Sequence, residues 1–290
     1  MNRLLIIGCG NTARRVIPLI KKRYRLYALI RNGVQREWLR AQGVTPILGD
    51  LADRDSLSRL AGLADVVLHF APPPRTGTRD VHTRHLLSSL SQSSVPERLI
   101  YISTSGVYGD CSGARVSETH PLNPQSERAQ RRVDAELQIR DWARKNGVIA
   151  SILRVPGIYA GDRLPLDRLR VSMPSIAAEE DSYTNHIHGD DLARIIVATL
   201  RNGKPNRAYN ASDDSEMKMG DYLDAVADAS HLRRPPRITR VEAQRVLPDS
   251  LLSFMNESRR LSNERMKKEL KVRLRYPVVG DALGQSAAAQ

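Results

Sequence analysis

Residues 4–16 read LLIIGCGNTARRV, an apolar run that breaks at a pair of glycines and restarts as an amphipathic stretch. The first half has the uniform apolarity of a strand buried on both faces, and the second half has the spacing of a helix. Gly8, Gly10 and Ala13 fall in a GxGxxA pattern at the turn between them. The first glycine permits the tight turn, and the second lets backbone approach a bound pyrophosphate. The small Ala13 lets the helix sit close against its strand. The free N–H groups and positive end of that helix then face the phosphates, with Cys9, Asn11 and Thr12 contributing backbone or side-chain donors. A dinucleotide site over residues 8–13 is therefore expected.

Outward from this turn the same rhythm repeats. Strands are expected at RLYALIR (25–31), VTPILGD (44–50), DVVLHFA (65–71), RLIYIST (98–104) and IASILRV (149–155). Helices are expected at NTARRVIPLIKKR (11–23), VQREWLRAQ (34–42), RDSLSRLAG (54–62), RDVHTRHLLSSLSQ (79–92) and SERAQRRVDAELQIRDWARKN (126–146). Strands that are apolar throughout and spaced by helices predict an α/β chain, a doubly wound parallel sheet of the Rossmann type. After residue 155 the pattern becomes irregular. One more helix is expected in IHGDDLARIIVATLRNG (187–203) and a last strand in AYNASDD (208–214), followed by two or three helices. This predicts a nucleotide-binding domain from 1–155 plus about 186–212. A smaller substrate-binding lobe would comprise about 156–185 plus 213–280, with a frayed tail over 281–290.

The ends of the predicted strands refine the ligand. An acidic residue after the second strand would accept hydrogen bonds from adenosine ribose hydroxyls. This chain has Arg31 there, followed by Asn32, and a guanidinium suits a 2′-phosphate. NADP is therefore expected, with NAD as the alternative. Asp50, beside Leu51, is placed to accept from an adenine amino group, and Phe70, Ala71 and Pro72 would line the middle of the cofactor.

Composition narrows the classes. The formal charge of +13 raises nucleic acid as a partner. Residues 231–276 carry thirteen Lys and Arg against five Asp and Glu. Aromatic residues are only 4%, however, and no stacking motif or zinc finger accompanies the basic stretch. A solvated basic face drawing a phosphorylated small molecule is expected instead of nucleic acid. Cys9 and Cys111 form no CxxC pair and the seven histidines join no ligand set, so no metal site is expected. No apolar stretch is long enough to span a bilayer, and a cytoplasmic protein is expected.

The ordered series GDLAD, YISTSGVYG, SETHPLNP, ILRVPGIYAG, IHGDDLA, YNASDD and SRRLSNERMKKEL resembles the extended short-chain dehydrogenase/reductases of the NAD-dependent epimerase/dehydratase kind. The resemblance covers nearly the whole chain. It implies that Thr104, before Tyr108-Gly109, is the hydroxyl residue at the end of the fifth strand. It also implies a homodimer paired through the helices at 79–92 and 126–146.

One motif departs. The resemblance places a Tyr-x-x-x-Lys pair on the helix at 126–146, and aligning Ala135-Glu136 puts Arg128 and Arg132 at those positions. Arginine stays protonated and cannot serve as the base, although Arg132 can still donate to ribose hydroxyls. Arg128 would instead meet an anionic substrate group, with His186 near it. Thr104 and Tyr108 are the expected catalytic residues, with Tyr159, His186 and His188 as further candidates for the proton. The resemblance thus implies an atypical NADP-dependent reductase, epimerase or dehydratase acting on a small polar, nucleotide-linked or phosphorylated substrate. The alternative is an inactive NADP(H)-binding sensor or interaction protein.

Overall fold

The computed structural model describes residues 1–287, without the side chains of 250 and 285–287. A seven-stranded sheet forms its centre. In chain order the first elements are β1 (Arg3–Ile7), α1 (Asn11–Ile20), β2 (Arg25–Ile30), α2 (Arg36–Ala41), β3 (Val44–Leu48), β4 (Val66–His69), α3 (Val81–Leu90) and β5 (Arg98–Thr104). A two-residue β6 (Arg115–Val116), α4 (Glu127–Asn146) and β7 (Ile149–Val155) follow. The strand Arg207–Asn210 completes the sheet, whose order is Arg207–Asn210, β7, β5, β4, β1, β2, β3. Every pairing in it is parallel. The predicted doubly wound sheet is what forms, and the order reverses at β1, which pairs with both β2 and β4.

Alternate residues of each strand feed two cores. Leu4 and Ile6 pack with α1 residues Ala13, Val16, Ile17 and Ile20 on one face. Leu5 and Ile7 pack with Leu86, Leu90, Ile139 and Trp142 of α3 and α4 on the other. This two-sided burial is why the strands read as continuous apolar runs. The 20-residue α4 is mostly polar in sequence. Ser126 caps it by accepting from Ala129 N at 3.3 Å, and Gly147, left-handed at φ +67°, ends it.

Two expectations are corrected here. The helix predicted over 54–62 is a 3-10 turn, Asp55–Leu60, which ends where Ala61 turns extended. Beyond 212, two or three helices were expected, and five are present among the described residues: Met219–Ala229, Arg240–Val246, Asp249–Met255, Glu264–Leu270 and Val279–Ala287. The last one also replaces the frayed tail over 281–287, because Ala282 and Leu283 bury against Leu223, Val226 and Tyr276. Residues 288–290 lie outside the described residues. Part of the basic excess near this end is paired within the chain. Arg234 meets Asp228, Arg237 meets Asp224, Arg265 meets Glu118 and Lys267 meets Asp214.

Candidate functional site

Two cavities open at the C-terminal ends of the sheet strands, where a doubly wound sheet leaves its crevice. The first, about 380 Å³, is lined by Gly8, Cys9, Gly10, Arg31, Asp50, Leu51, Ala71 and Pro72 from the ends of β1 to β4. Gly8 sits at φ +97°, and a Cβ there would lie 2.5 Å from Ala71 N, so only glycine allows this turn beside the loop after β4. A Cβ at Gly10 would meet nothing within 4 Å. That opening lies directly before α1, whose N-terminus has no side-chain cap and no acidic residue in its first turn. An open backbone next to uncapped N–H groups fits a pyrophosphate.

The remaining predicted cofactor residues divide. Arg31 is exposed on the cavity wall, with Arg75 opposite it on the loop after β4. Asp50 lines the cavity while its Oδ1 accepts from Ala52 N at 3.0 Å. Ala13 is buried against the sheet, as its helix-packing role requires. Asn11 instead donates to Asp162 at 2.8 Å, and Thr12 and Asn32 stay outside the lining. The Asn32 side chain accepts from Val34 N and caps a 3-10 turn. Phe70 packs into the core beside the sheet. Cys9 is buried and its thiol is pushed up to about 11 by burial, so it offers no nucleophile.

The second cavity, about 350 Å³, contains Thr104 at the end of β5 and Arg128 on α4. His186, Tyr222, Phe254, Glu257 and Arg259 close it from the C-terminal part of the chain. Thr104 Oγ1 accepts from Gly106 N at 3.3 Å. Arg128 lies with its guanidinium carbon 3.8 Å from the Phe254 ring centroid. Burial draws Arg128 below its ordinary value, and the Glu257 carboxylate opposes that shift. His186 is buried and pushed down to about 3 by burial, so it is neutral, and its ring stacks on Tyr222 with centroids 4.0 Å apart.

Two expectations about this cavity are corrected. Tyr108 is not in it. The ring is buried, and its hydroxyl donates to Asn210 Oδ1 at 2.7 Å and accepts from Arg154 Nη1 at 2.9 Å. Burial pushes that phenol up to about 12, so Tyr108 is a structural hydroxyl and not a proton source for the cavity. Arg128 and Arg132 also do not converge. Arg132 Nη1 donates to Tyr101 OH at 2.9 Å and to the Ile102 carbonyl at 2.8 Å, which turns it toward the sheet and off both linings. Of the other proton candidates, Tyr159 is buried behind His186, and His188 accepts from Asp190 N at 3.2 Å as a helix cap.

Glu257 and Arg259 are the site residues that sequence reasoning missed. Arg259 Nη1 donates to Glu257 Oε2 and to the Gly109 carbonyl, both at 2.8 Å, and Nη2 reaches Ser105 Oγ at 3.4 Å. Arg259 is 7% exposed and its Nε has no hydrogen-bond partner among the described residues. The only local signal was the pair of arginines opening SRRLSNERMKKEL, and nothing in that run says it folds back on β5. With Arg128, Arg163 and Arg259 against Glu257 alone, the cavity is net cationic and suits an anion.

The model of the NAD dependent epimerase/dehydratase family matches residues 5–212. The dTDP-glucose 4,6-dehydratase of Mycobacterium tuberculosis is 28% identical over 192 residues, 59% of this chain and 57% of that protein. The human dTDP-D-glucose 4,6-dehydratase is 23% identical over 60% of this chain and 55% of its own length. The chain thus spans a little over half the length of these relatives. Among solved structures, a functionally unknown conserved protein from Silicibacter pomeroyi superposes at a TM-score of 0.80 with 29% identity, covering 100% and 99% of the two chains. DesIV, the dTDP-glucose 4,6-dehydratase of Streptomyces venezuelae with NAD bound, superposes at 0.79 with 21% identity, covering 99% and 96%. With the fold, the glycine turn and this match over most of its length in agreement, the chain belongs to the NAD dependent epimerase/dehydratase family.

Proposed function

We propose that this chain is an NADP-preferring enzyme that transfers hydride to or from a small polar substrate bearing a carboxylate or phosphate. The observation that carries the reading is the second cavity, in which Arg128 and Arg259 share a wall with Thr104. A bound reduced dinucleotide supplies the hydride. Gly10 and the α1 N-terminus would hold its pyrophosphate, Arg31 its 2′-phosphate and Asp50 its adenine. Thr104 donates to the substrate oxygen while Arg128 and Arg259 hold the anionic group.

The experiment is NADPH oxidation against a panel of carboxylated and phosphorylated carbonyl compounds and their neutral esters. Turnover confined to the anionic compounds supports the reading. NADPH binding without turnover of any compound would favour a second reading, a cofactor-binding sensor. The observation behind that alternative is that arginines hold both positions of the Tyr-x-x-x-Lys pair.

A further inference from the structure

Arg128 stands where the family resemblance places a phenol, and Tyr108 is buried away from the cavity. A different group must hold the proton. Glu257 is 6% exposed yet lines the cavity wall. Its position beside Thr104 follows from Gly106, where an added Cβ would stand 3.7 Å from both Glu257 Oε2 and Thr104 Oγ1. Arg259 holds Oε2 at 2.8 Å, whereas Oε1 has no protein donor among the described residues. One oxygen is thus pinned and the other is left for a ligand. We infer that Glu257 is the proton-transfer group of this site, oriented by Arg259 and loaded with a proton when the substrate anion enters beside it.

The electrostatics give the inference its direction. Arg128 and Arg259 line the same cavity as Glu257, and Arg259 pairs with it at 2.8 Å. Arg163 also lines the cavity, Cys111 and Asp110 lie within electrostatic reach of Arg259 and Glu257, and Tyr183, Tyr222 and the neutral His186 add no charge. An incoming carboxylate or phosphate takes up the arginines' field and brings a like charge next to Glu257, which favours its protonated form. In the reduction, hydride forms the new C–H bond and the carbonyl π electrons move onto oxygen. That oxygen takes the Glu257 O–H proton, leaving the carboxylate to recover a proton from solvent. The dinucleotide is oxidised and the carbonyl reduced.

This inference rests on the anion-binding reading of the preceding section, and its test separates the two. Sulfate carries no titratable proton near neutral pH, so any proton it drives onto the protein belongs to a side chain. Sulfate is added to the full-length, NADP-saturated chain in weakly buffered solution containing a pH indicator. The wild type is expected to take up a fraction of a proton per bound sulfate. Glu257→Gln, which keeps a hydrogen-bonding partner for Arg259, is expected to bind sulfate about threefold or more tightly with no uptake. Glu257→Asp, which retains a titrating carboxyl, should restore uptake and covers the case in which the glutamine variant fails to fold. Sulfate binding without uptake in the wild type, or uptake that persists in Glu257→Gln, overturns the role of Glu257 alone. Absence of sulfate binding overturns the anion cavity, and this inference with it.

Discussion

Arg128 of α4 lies face-on to Phe254, with 3.8 Å between its guanidinium carbon and the ring centroid. The contact joins α4 to the helix Asp249–Met255 on the wall of the second cavity. It is a cation–π contact worth about 0.5–2 kcal/mol. Phe254→Ala should release Arg128 toward the cavity, leaving fold stability within about 2 kcal/mol of wild type and changing anion affinity. Denaturant titration and anion titration of the variant check the two halves of that statement.

NADPH should bind roughly tenfold more tightly than NADH, a difference of about 1.4 kcal/mol that one charge-assisted contact at Arg31 can supply. Arg31 is exposed at the end of β2 on the cavity wall, with no carboxylate at that position to claim a ribose. Fluorescence titration of both cofactors into wild type and Arg31→Asp is the check. The variant should lose the preference, and equal affinities in the wild type would refute it.

The two turn glycines should fail differently. Gly8→Ala puts a Cβ 2.5 Å from Ala71 N at a left-handed φ, which should cost about 2 kcal/mol or more and lower Tm. Gly10→Ala adds a methyl to open space, so Tm should hold while NADPH affinity falls. Thermal melts paired with cofactor titration separate the two.

Tyr108 and its neighbours form a buried polar cluster away from the cavity. Arg154 meets Glu136 at 2.8 Å, and Ser103 donates to the same carboxylate at 2.6 Å. Arg154→Met leaves that carboxylate buried and uncompensated, and should cost about 3–5 kcal/mol. Tyr108→Phe should cost only about 1–2 kcal/mol and leave kcat/KM unchanged. A Tyr108→Phe variant that folds but does not turn over would contradict its placement here.

Much of this was legible beforehand. Strand alternation between two cores leaves runs such as Leu4–Ile7 apolar at every position, and a parallel sheet is the arrangement that buries them. The glycine turn was equally readable, because backbone conformation restricts which residue can stand at Gly8. The second cavity was not. Its decisive pair, Glu257 and Arg259, reaches the turn after β5 from 150 residues away in sequence, as the Arg259 bond to Gly109 shows. Tyr108 misled for a related reason. A tyrosine in a strand-end turn can face either way, and only its partners Asn210 and Arg154 decide which.

Stability should vary with pH in two opposite senses. Burial pushes His69 and His186 down to about 3 from an ordinary value of 6.5, so the unfolded chain binds more protons below that value. Their contribution is intact above about pH 6.5 and is lost as pH falls toward 3. Burial pushes Asp213 up to about 8 from 3.8, so its contribution is present below 3.8 and lost as pH rises through 8. Asp213→Asn should therefore gain on the wild type as pH rises across that window. Urea unfolding of both proteins at several pH values measures it, and a constant difference would remove Asp213 as the cause.

The most direct test of the site is a crystal structure of the chain with NADP bound. The account predicts the 2′-phosphate against Arg31 and the pyrophosphate over Gly10. The nicotinamide C4 atom should face the space between Thr104, Arg128 and Glu257. A nicotinamide ring turned away from that space, or held where Arg128 and Arg259 cannot share a ligand with it, would contradict the account.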